Sequence, residues 1–153
     1  VLKKTISVNQ KFPTGPVMGK FLNGLKEKKI LANKCPDCGR TQIPPREVCA
    51  VCRVRCDEFI EVGPKGNVRL LDTAFYASPD PLTGETRETP YGLIYVLLDG
   101  CKGQDVFTHF LRGDQLDRVE MGWNEKKGSI VRPVWAENRT GSVFDIKYFE
   151  IDE

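Results

Sequence analysis

Histidine is almost missing from this chain, because only one of its 153 residues, His109, is a histidine. Cysteine-based acyl transfer needs an acid or base beside the nucleophile, and histidine is the usual partner. His109 lies on a predicted strand, where a structural role is more common, so we do not expect it to form a dyad with Cys101. The acidic residues form no recognisable pair, and the sequence has no P-loop and no dinucleotide fingerprint. The chain thus lacks the usual equipment of a self-contained enzyme.

Long apolar runs are missing as well. No stretch approaches the roughly 18 uninterrupted apolar residues of a membrane span. The start, Val1-Leu2-Lys3-Lys4, leads into no apolar signal-peptide region. We therefore expect a cytoplasmic protein without a membrane partner, in a compartment where thiols stay reduced or bind metal.

The net charge of +2 conceals two parts of opposite sign. Residues 1–56 carry twelve Lys/Arg against three Asp/Glu, whereas residues 57–153 carry eleven against eighteen. The basic and the acidic part should therefore contact different partners.

Four cysteines form two close pairs, Cys35 with Cys38 and Cys49 with Cys52, and ten residues separate the pairs. Two Cys-x-x-Cys turns at this spacing predict a zinc ribbon, in which four thiolates hold Zn²⁺ and leave no open coordination position. The predicted zinc is therefore structural. The alternative of two disulfides has little support, since nothing else in the chain indicates an oxidising compartment.

The two cysteine pairs differ in the residue that follows them. Gly39 follows the first pair and can adopt the left-handed conformation that turns backbone amides toward the sulfurs. Arg53 stands at the corresponding place after Cys52. Cys56 follows soon after, so it is an alternative to Cys52 as the fourth ligand.

An amphipathic helix is predicted before the ribbon. Pro16 suits a first helical position, and apolar residues recur at helical spacing at Met18, Phe21, Leu22 and Leu25. Lysines fall outside this stripe, at positions Lys20, Lys26, Lys28 and Lys29. Gly19 and Gly24 each cost such a helix about 1 kcal/mol relative to alanine, so the helix should depend on packing. It either covers the ribbon with a solvated lysine face or docks onto a partner.

Short β-segments follow the ribbon at 59–62 and 68–76, predicted as one bent strand, and then at 91–98, 105–111, 130–136 and 143–151. Glycine-rich turns at 99–103 and 138–141 join the second strand to the third and the fourth to the fifth. Pro133 predicts an edge or a bulge in the fourth strand. Five strands in this order predict a small barrel of the OB-fold type.

One loop, residues 77–90 (ASPDPLTGETRETP), is longer than most connections between strands. A loop of this length is often functional or mobile, and an exposed loop without a function is an equally good interpretation.

Several segments follow one another in an informative order, namely residues 24–31 (GLKEKKIL), CPDCG at 35–39, Pro44-Pro45-Arg46, Cys49 to Cys52, GPKGNVRLLDTAFY at 63–76, residues 90–100 (PYGLIYVLLDG) and Met121-Gly122. In this order the chain resembles a family of small proteins that join a rubredoxin-like zinc ribbon to an acyl-CoA-associated OB-fold. The resemblance covers nearly the whole chain. It implies a mainly β protein with an N-terminal arm and helix (1–33), a zinc ribbon (34–58) and a five-stranded OB-fold barrel (59–153).

Members of that family are partners of thiolase-like enzymes, including degradative thiolases and steroid side-chain aldolases. The resemblance therefore implies a noncatalytic subunit that completes the acyl-CoA or coenzyme A site of a dimeric thiolase-like partner in a hetero-oligomer, acting on an acyl-CoA that could be aromatic. Coenzyme A is anionic, so the four helix lysines are candidates for its phosphates. Aromatic residues beside the long loop are candidates for apolar contact, namely Phe75, Tyr76 and Tyr91.

Two other functions fit parts of the sequence. A zinc ribbon with an OB-fold suits a single-stranded nucleic-acid binder, but such a barrel should be basic and this one is acidic. An independent small enzyme ranks third, because the sequence offers no open metal position and no convincing pair of nucleophile and base.

Overall fold

The structure is a computed structural model that describes residues 8, 10–79, 84–102, 105–116 and 128–152. Within these ranges, no helix is both long enough and apolar enough to cross a membrane. Met121-Gly122, part of the family resemblance, lies outside the described residues.

One helix and eight strands are described, in the order α1 (Gly15–Lys26), β1 (Ile30–Lys34), β2 (Thr41–Gln42), β3 (Glu58–Val62), β4 (Gly66–Ala74), β5 (Tyr91–Leu98), β6 (Phe107–Phe110), β7 (Ile130–Trp135) and β8 (Ile146–Ile151). They form two antiparallel sheets. The prediction of a mainly β protein with one N-terminal helix is confirmed.

The first sheet has three strands in the order β2-β1-β3. Strand β1 pairs with β3 along its whole length, from Ile30 opposite Val62 to Lys34 opposite Glu58. The sequence interpretation of 59–76 as one bent strand was therefore wrong. Gly63 has a φ of 71° and separates two strands that belong to different sheets.

The second sheet has five strands in the order β6-β5-β4-β7-β8. A parallel bridge between Leu111 and Phe149 joins its two ends, and Arg112 N donates to Phe149 O at 2.8 Å. This is the strand order of an OB-fold barrel. Pro133 lies next to a register shift at Val134/Trp135. The pairing of β7 with β4 involves only Ile130 and Val131, before Pro133. The prediction of a bulge or edge at Pro133 is therefore confirmed.

Helix α1 is shorter than the predicted docking helix over 18–31, because the helix ends at Lys26 and Leu31 lies in β1. Phe21 and Leu25 are fully buried, and Met18 and Leu22 pack at the border of the core. Gly24 is required by a close approach, since a Cβ there would lie 3.0 Å from Leu31 Cγ.

Helix, ribbon sheet and barrel share one apolar core. Phe21 of the helix meets Phe107 of the barrel edge-on, with 6.1 Å between the ring centroids, and Ile30 and Ala32 of β1 belong to the same cluster. Main-chain contacts add to this junction, since Thr41 N donates to Lys102 O at 3.0 Å. The ribbon is therefore held against the barrel by packing as well as by hydrogen bonds.

The loop between β7 and β8 holds the end of the helix. Arg139 Nε donates to Lys26 O at 2.8 Å, which satisfies a carbonyl at the helix C-terminus. The same loop is fixed by Asp145, whose carboxylate accepts hydrogen bonds from the N–H groups of Thr140, Gly141 and Ser142 at 2.9, 2.8 and 3.2 Å. Asp145 is only 2% exposed, and burial would raise its pKa, but these backbone donors and Arg139 lower it.

Candidate metal centre

Four cysteines meet at one end of the ribbon sheet. The Sγ atoms of Cys35, Cys38, Cys49 and Cys52 lie within 4.8 Å of one another, and Cys38 Sγ is 3.9 Å from Cys49 Sγ. Sulfurs at about 2.3 Å from a tetrahedral Zn²⁺ are about 3.8 Å apart, so the four thiols could hold one zinc ion with little movement. Among the described residues this is the one group of metal-ligating side chains close enough to share an ion.

The two cysteine pairs have the same backbone geometry. In the first, Gly39 N donates to Cys35 O at 3.0 Å and Cys35 N donates to Arg40 O at 2.9 Å. In the second, Arg53 N donates to Cys49 O at 3.0 Å and Cys49 N donates to Val54 O at 2.9 Å. Each turn aims its sulfurs at the common centre.

Arg53 takes the conformation that glycine takes in the first turn. Its φ is 59°, and that of Gly39 is 69°. Arg53 therefore replaces the expected glycine without changing the turn, although a side chain in this region costs about 1–2 kcal/mol. The Arg53 side chain is exposed, so the substitution causes no steric conflict with the sulfur cluster.

Cys56 was the alternative to Cys52, and the geometry favours Cys52. The thiol of Cys56 donates to Val54 O at 3.6 Å and lies outside the group of four sulfurs. Burial raises its pKa, which favours the neutral thiol over a metal-binding thiolate. All six cysteines are free, so the alternative of two disulfides finds no support in the structure.

The thiols of the cysteine cluster shift one another's pKa values. The backbone N–H of Cys38 is the main cause that lowers the pKa of Cys35, to about 7. Cys52, by contrast, has its pKa raised to about 12, chiefly by the thiol of Cys38. One thiolate is thus favoured while further thiolates repel each other, and a divalent cation would reverse that repulsion.

Two buried polar residues that the sequence analysis did not identify fix the second cysteine turn. Asn33 Nδ2 donates to Cys56 O at 2.9 Å and its Oδ1 accepts from Gln42 Nε2 at 3.3 Å. Gln42 Oε1 accepts from Ala50 N at 3.3 Å. Both amide side chains are 0% exposed. The available signal was the position of Asn33 and Gln42 on either side of the first cysteine pair, where strand residues would otherwise be apolar.

The four lysines suggested for coenzyme A are all exposed, but they have different neighbours. Lys20 Nζ lies 4.6 Å from the centre of the Phe59 ring, and Lys29 Nζ lies 3.8 Å from a carboxylate oxygen of Glu27. Lys26 and Lys28 are exposed, and only Lys20 and Lys26 belong to α1. The chain changes direction after the helix, because Lys28 has a φ of 61°.

The three candidate aromatic residues lie close together at one end of the β4–β5 pair. Tyr91 pairs with Ala74, and Phe75 and Tyr76 follow directly. Phe75 and Tyr76 are 71% and 76% exposed, so their rings do not fill the barrel. Tyr91 is partly buried and meets Phe110 edge-on at 5.7 Å.

Cys101 and His109, the one conceivable dyad, take part in separate contacts. His109 is 7% exposed, and its Nε2 lies 2.6 Å from Ile146 O. Burial raises the pKa of Cys101, while a hydrogen bond with Thr41 opposes that shift. Burial also lowers the pKa of His109. No hydrogen bond joins the two side chains within the part of the chain that the structure describes, so these groups form no activated nucleophile.

Comparisons with known proteins agree with this architecture. Residues 22–57 match the family model of the ChsH2 rubredoxin-like zinc ribbon domain. A crystal structure of a DUF35-family protein of unknown function from Sulfolobus solfataricus has a TM-score of 0.59 and 21% sequence identity, with 90% of this chain and 87% of that chain covered. The Ltp2-ChsH2(DUF35) aldolase has a TM-score of 0.57 and 20% identity, with 86% of this chain and 91% of that chain covered. None of the curated proteins compared with the chain matches it.

These matches confirm the resemblance on which the sequence analysis drew. Residues 22–57 are similar to the ChsH2 zinc ribbon domain, and the fold of the chain is similar to that of the two solved DUF35 structures.

Proposed function

We propose that this chain is a noncatalytic subunit that assembles with a thiolase-like catalytic subunit and completes its acyl-CoA or coenzyme A site. The observation that carries the proposal is the shared fold with the ChsH2(DUF35) component of an aldolase complex, together with the ChsH2-type ribbon. The complex would take part in the degradation of an acyl-CoA, and an aromatic acyl group is one candidate.

The zinc would have a structural role in this subunit. Four thiolates from Cys35, Cys38, Cys49 and Cys52 fill a tetrahedral site, so no coordination position remains for a substrate. Zinc bound there would fix both cysteine turns and, through them, the position of the ribbon beside the barrel.

Catalysis by the chain alone has little support. His109 is held by Ile146 O at 2.6 Å and the thiol of Cys101 is disfavoured as a thiolate. A catalytic partner would supply the nucleophile and the acid–base groups.

The surface for the partner is proposed at the exposed aromatic residues and the long loop that follows them. Phe75 and Tyr76 leave two large rings in solvent at one end of the barrel, as interface anchors do before assembly. The four lysines Lys20, Lys26, Lys28 and Lys29 are exposed, and we propose that they attract the phosphates of coenzyme A. We propose that this chain and the thiolase-like subunit form a hetero-oligomer in the cytoplasm.

Surface variants test this assignment better than removal of residues 1–31. Phe21 and Leu25 are fully buried, so such a truncation would unfold the core rather than leave the barrel folded. We expect the double variant Phe75→Ser, Tyr76→Ser to keep its circular dichroism spectrum and to lose co-elution with the thiolase-like subunit. Ile130→Thr is the matched control, because Ile130 is also an exposed apolar residue, at 52%. Normal assembly of the double variant would exclude this surface from the interface.

Single-stranded nucleic acid is a weaker candidate. The barrel lies in the part of the chain with eleven Lys/Arg against eighteen Asp/Glu, and a phosphate-tracking groove requires the opposite sign.

A further inference from the structure

A groove of about 530 Å³ lies between the ribbon and the barrel, away from the cysteine cluster. One wall comes from the ribbon segment Ile43, Pro44 and Arg46, and the other from β6 together with the 3₁₀ turn Val143–Asp145. The volume is that of a site for a small organic molecule.

The barrel wall of the groove is aromatic. The rings of Phe110 and Phe144 are nearly parallel, with an interplanar angle of 6° and centroids 6.5 Å apart. Phe144 is 62% exposed, although its ring lines the groove. An exposed phenyl ring beside other apolar side chains favours a ligand with a hydrocarbon or aromatic part.

One arginine gives the groove a positive charge, and a second lies behind its aromatic wall. Arg46 lines the groove, its side chain is exposed, and it forms no ion pair with an acid within the described residues. Arg87 does not line the groove, but its guanidinium carbon lies 3.7 Å from the centre of the Phe110 ring, which does. A guanidinium without a protein partner at the edge of an apolar groove favours a carboxylate.

His109 also lines the groove but adds no charge to it. Ile146 O can only accept a hydrogen bond, so Nε2 carries the ring proton and the neutral ring leaves Nδ1 as an acceptor. Burial and the nearby charge of Arg87 lower the pKa of His109 and keep it neutral. Arg46 is therefore the lining residue whose charge suits an anion.

We propose that this groove binds a small aromatic or apolar carboxylate, whose hydrocarbon part packs on Phe110 and Phe144 and whose carboxylate pairs with Arg46. This site belongs to the isolated chain and does not depend on the proposed partner. Its barrel side comes from the second and third barrel strands, β5 and β6, and from the connection after the fourth, and OB-folds usually bind ligands on the face of these two strands.

The test is a titration of the zinc-loaded full chain with 4-phenylbutyrate, followed by ¹H–¹⁵N NMR. The uncharged 4-phenylbutyramide has the same hydrocarbon part and isolates the contribution of the carboxylate. We expect saturable shifts at the amides of Thr108, Phe110 and Phe144, and about fivefold tighter binding of the carboxylate, which corresponds to about 1 kcal/mol for an exposed ion pair.

Variants separate the two contributions. Arg46→Gln should remove the preference for the carboxylate, and it leaves the backbone hydrogen bond from Arg46 N to Asn33 intact. Phe144→Ala should weaken both ligands by about fivefold, because it removes the exposed ring of the wall. The controls are Arg69→Gln and Phe12→Ala, since both residues are exposed and lie outside the groove.

Three outcomes would overturn the proposal. These are shifts that do not saturate at the groove amides, equal affinity of carboxylate and amide, and an Arg46→Gln variant that binds as the wild type does. Binding of oligo(dT) at the same amides, tighter than that of the carboxylate, would instead assign the groove to nucleic acid.

Discussion

Arg53 and Gly39 occupy equivalent places in the two cysteine turns and share the left-handed conformation, with φ of 59° and 69°. Both N–H groups donate to the carbonyl of the first cysteine of their turn, at 3.0 Å. The ribbon therefore contains two geometrically matched turns, and only one of them has the residue that adopts this conformation without strain.

This relationship predicts opposite effects of two substitutions. Arg53→Gly should stabilise the zinc-loaded protein by about 1 kcal/mol, because it removes the strain of a side chain at positive φ. Gly39→Ala should destabilise it by about 1–2 kcal/mol, because it introduces that backbone strain. Steric conflict adds nothing to this cost, since a Cβ at Gly39 would meet no atom within 4 Å. Urea unfolding at a fixed zinc concentration measures both changes. A destabilising Arg53→Gly would show that the Arg53 side chain makes an essential contact.

The fourth zinc ligand is tested by a pair of cysteine variants. Cys52→Ser should lower the zinc content of the purified protein well below one equivalent and unfold the ribbon, because metal binding contributes directly to folding. Cys56→Ser should retain the metal, since Cys56 lies outside the four-sulfur group. Metal analysis by mass spectrometry distinguishes the two. The reverse result would assign the site to Cys56.

The cysteine spacing was sufficient to predict the ribbon because ligand geometry is local: each Cys-x-x-Cys turn encodes its own conformation. The partner of β3 could not be predicted in the same way. Residues 59–62 have an apolar pattern compatible with either sheet, and their pairing with β1 depends on residues nearly thirty positions earlier in the chain. Such a non-local pairing leaves no signal in the segment itself.

The two helix glycines were interpreted alike from the sequence, and the structure separates them. Gly24→Ala should destabilise the protein by about 1–3 kcal/mol, because the new Cβ would lie 3.0 Å from Lys29 O and from Leu31 Cγ. Gly19→Ala should stabilise it by about 0.5–1 kcal/mol, as alanine does in a helix interior. Thermal unfolding of both variants measures the difference. Equal effects of the two substitutions would mean that the helix is not packed against β1 as described.

The contact between the end of helix α1 and the β7–β8 loop could not be predicted from the sequence either. Arg139 lies more than a hundred residues from Lys26, so no local pattern links its guanidinium to that carbonyl. The predicted turn at 138–141 does lie between β7 and β8, but the strand expected from 143 begins at Ile146, after the 3₁₀ turn Val143–Asp145. The contact of this loop with the helix depends on the closed barrel.

The carboxylate of Asp145 should make the free energy of unfolding fall as the pH is lowered into the acid range. The folded-state pKa of Asp145 is lowered, so its contribution is present above the pKa of the unfolded chain and is lost as pH falls through the folded pKa. Asp145→Asn should cost about 1–3 kcal/mol at pH 7, because backbone N–H groups lose their acceptor, and progressively less in acid. Denaturant unfolding from pH 7 to pH 2 measures this convergence. The control Asp57→Asn, at an exposed ion pair with Arg55, should change stability little at any pH. A constant difference between wild type and Asp145→Asn across the pH range would show that ionised Asp145 is not the stabilising species.

The most direct test of the proposed function is thioester cleavage measured for this chain alone, for the proposed thiolase-like partner, and for their complex, with a panel of aliphatic and aromatic 3-oxoacyl-CoA thioesters. The proposed function predicts no turnover by the zinc-loaded chain alone, little by the partner alone, and full activity only when both are combined. Turnover by the isolated chain that Cys101→Ala or His109→Gln abolishes would contradict it, as would a partner that is equally active without this chain.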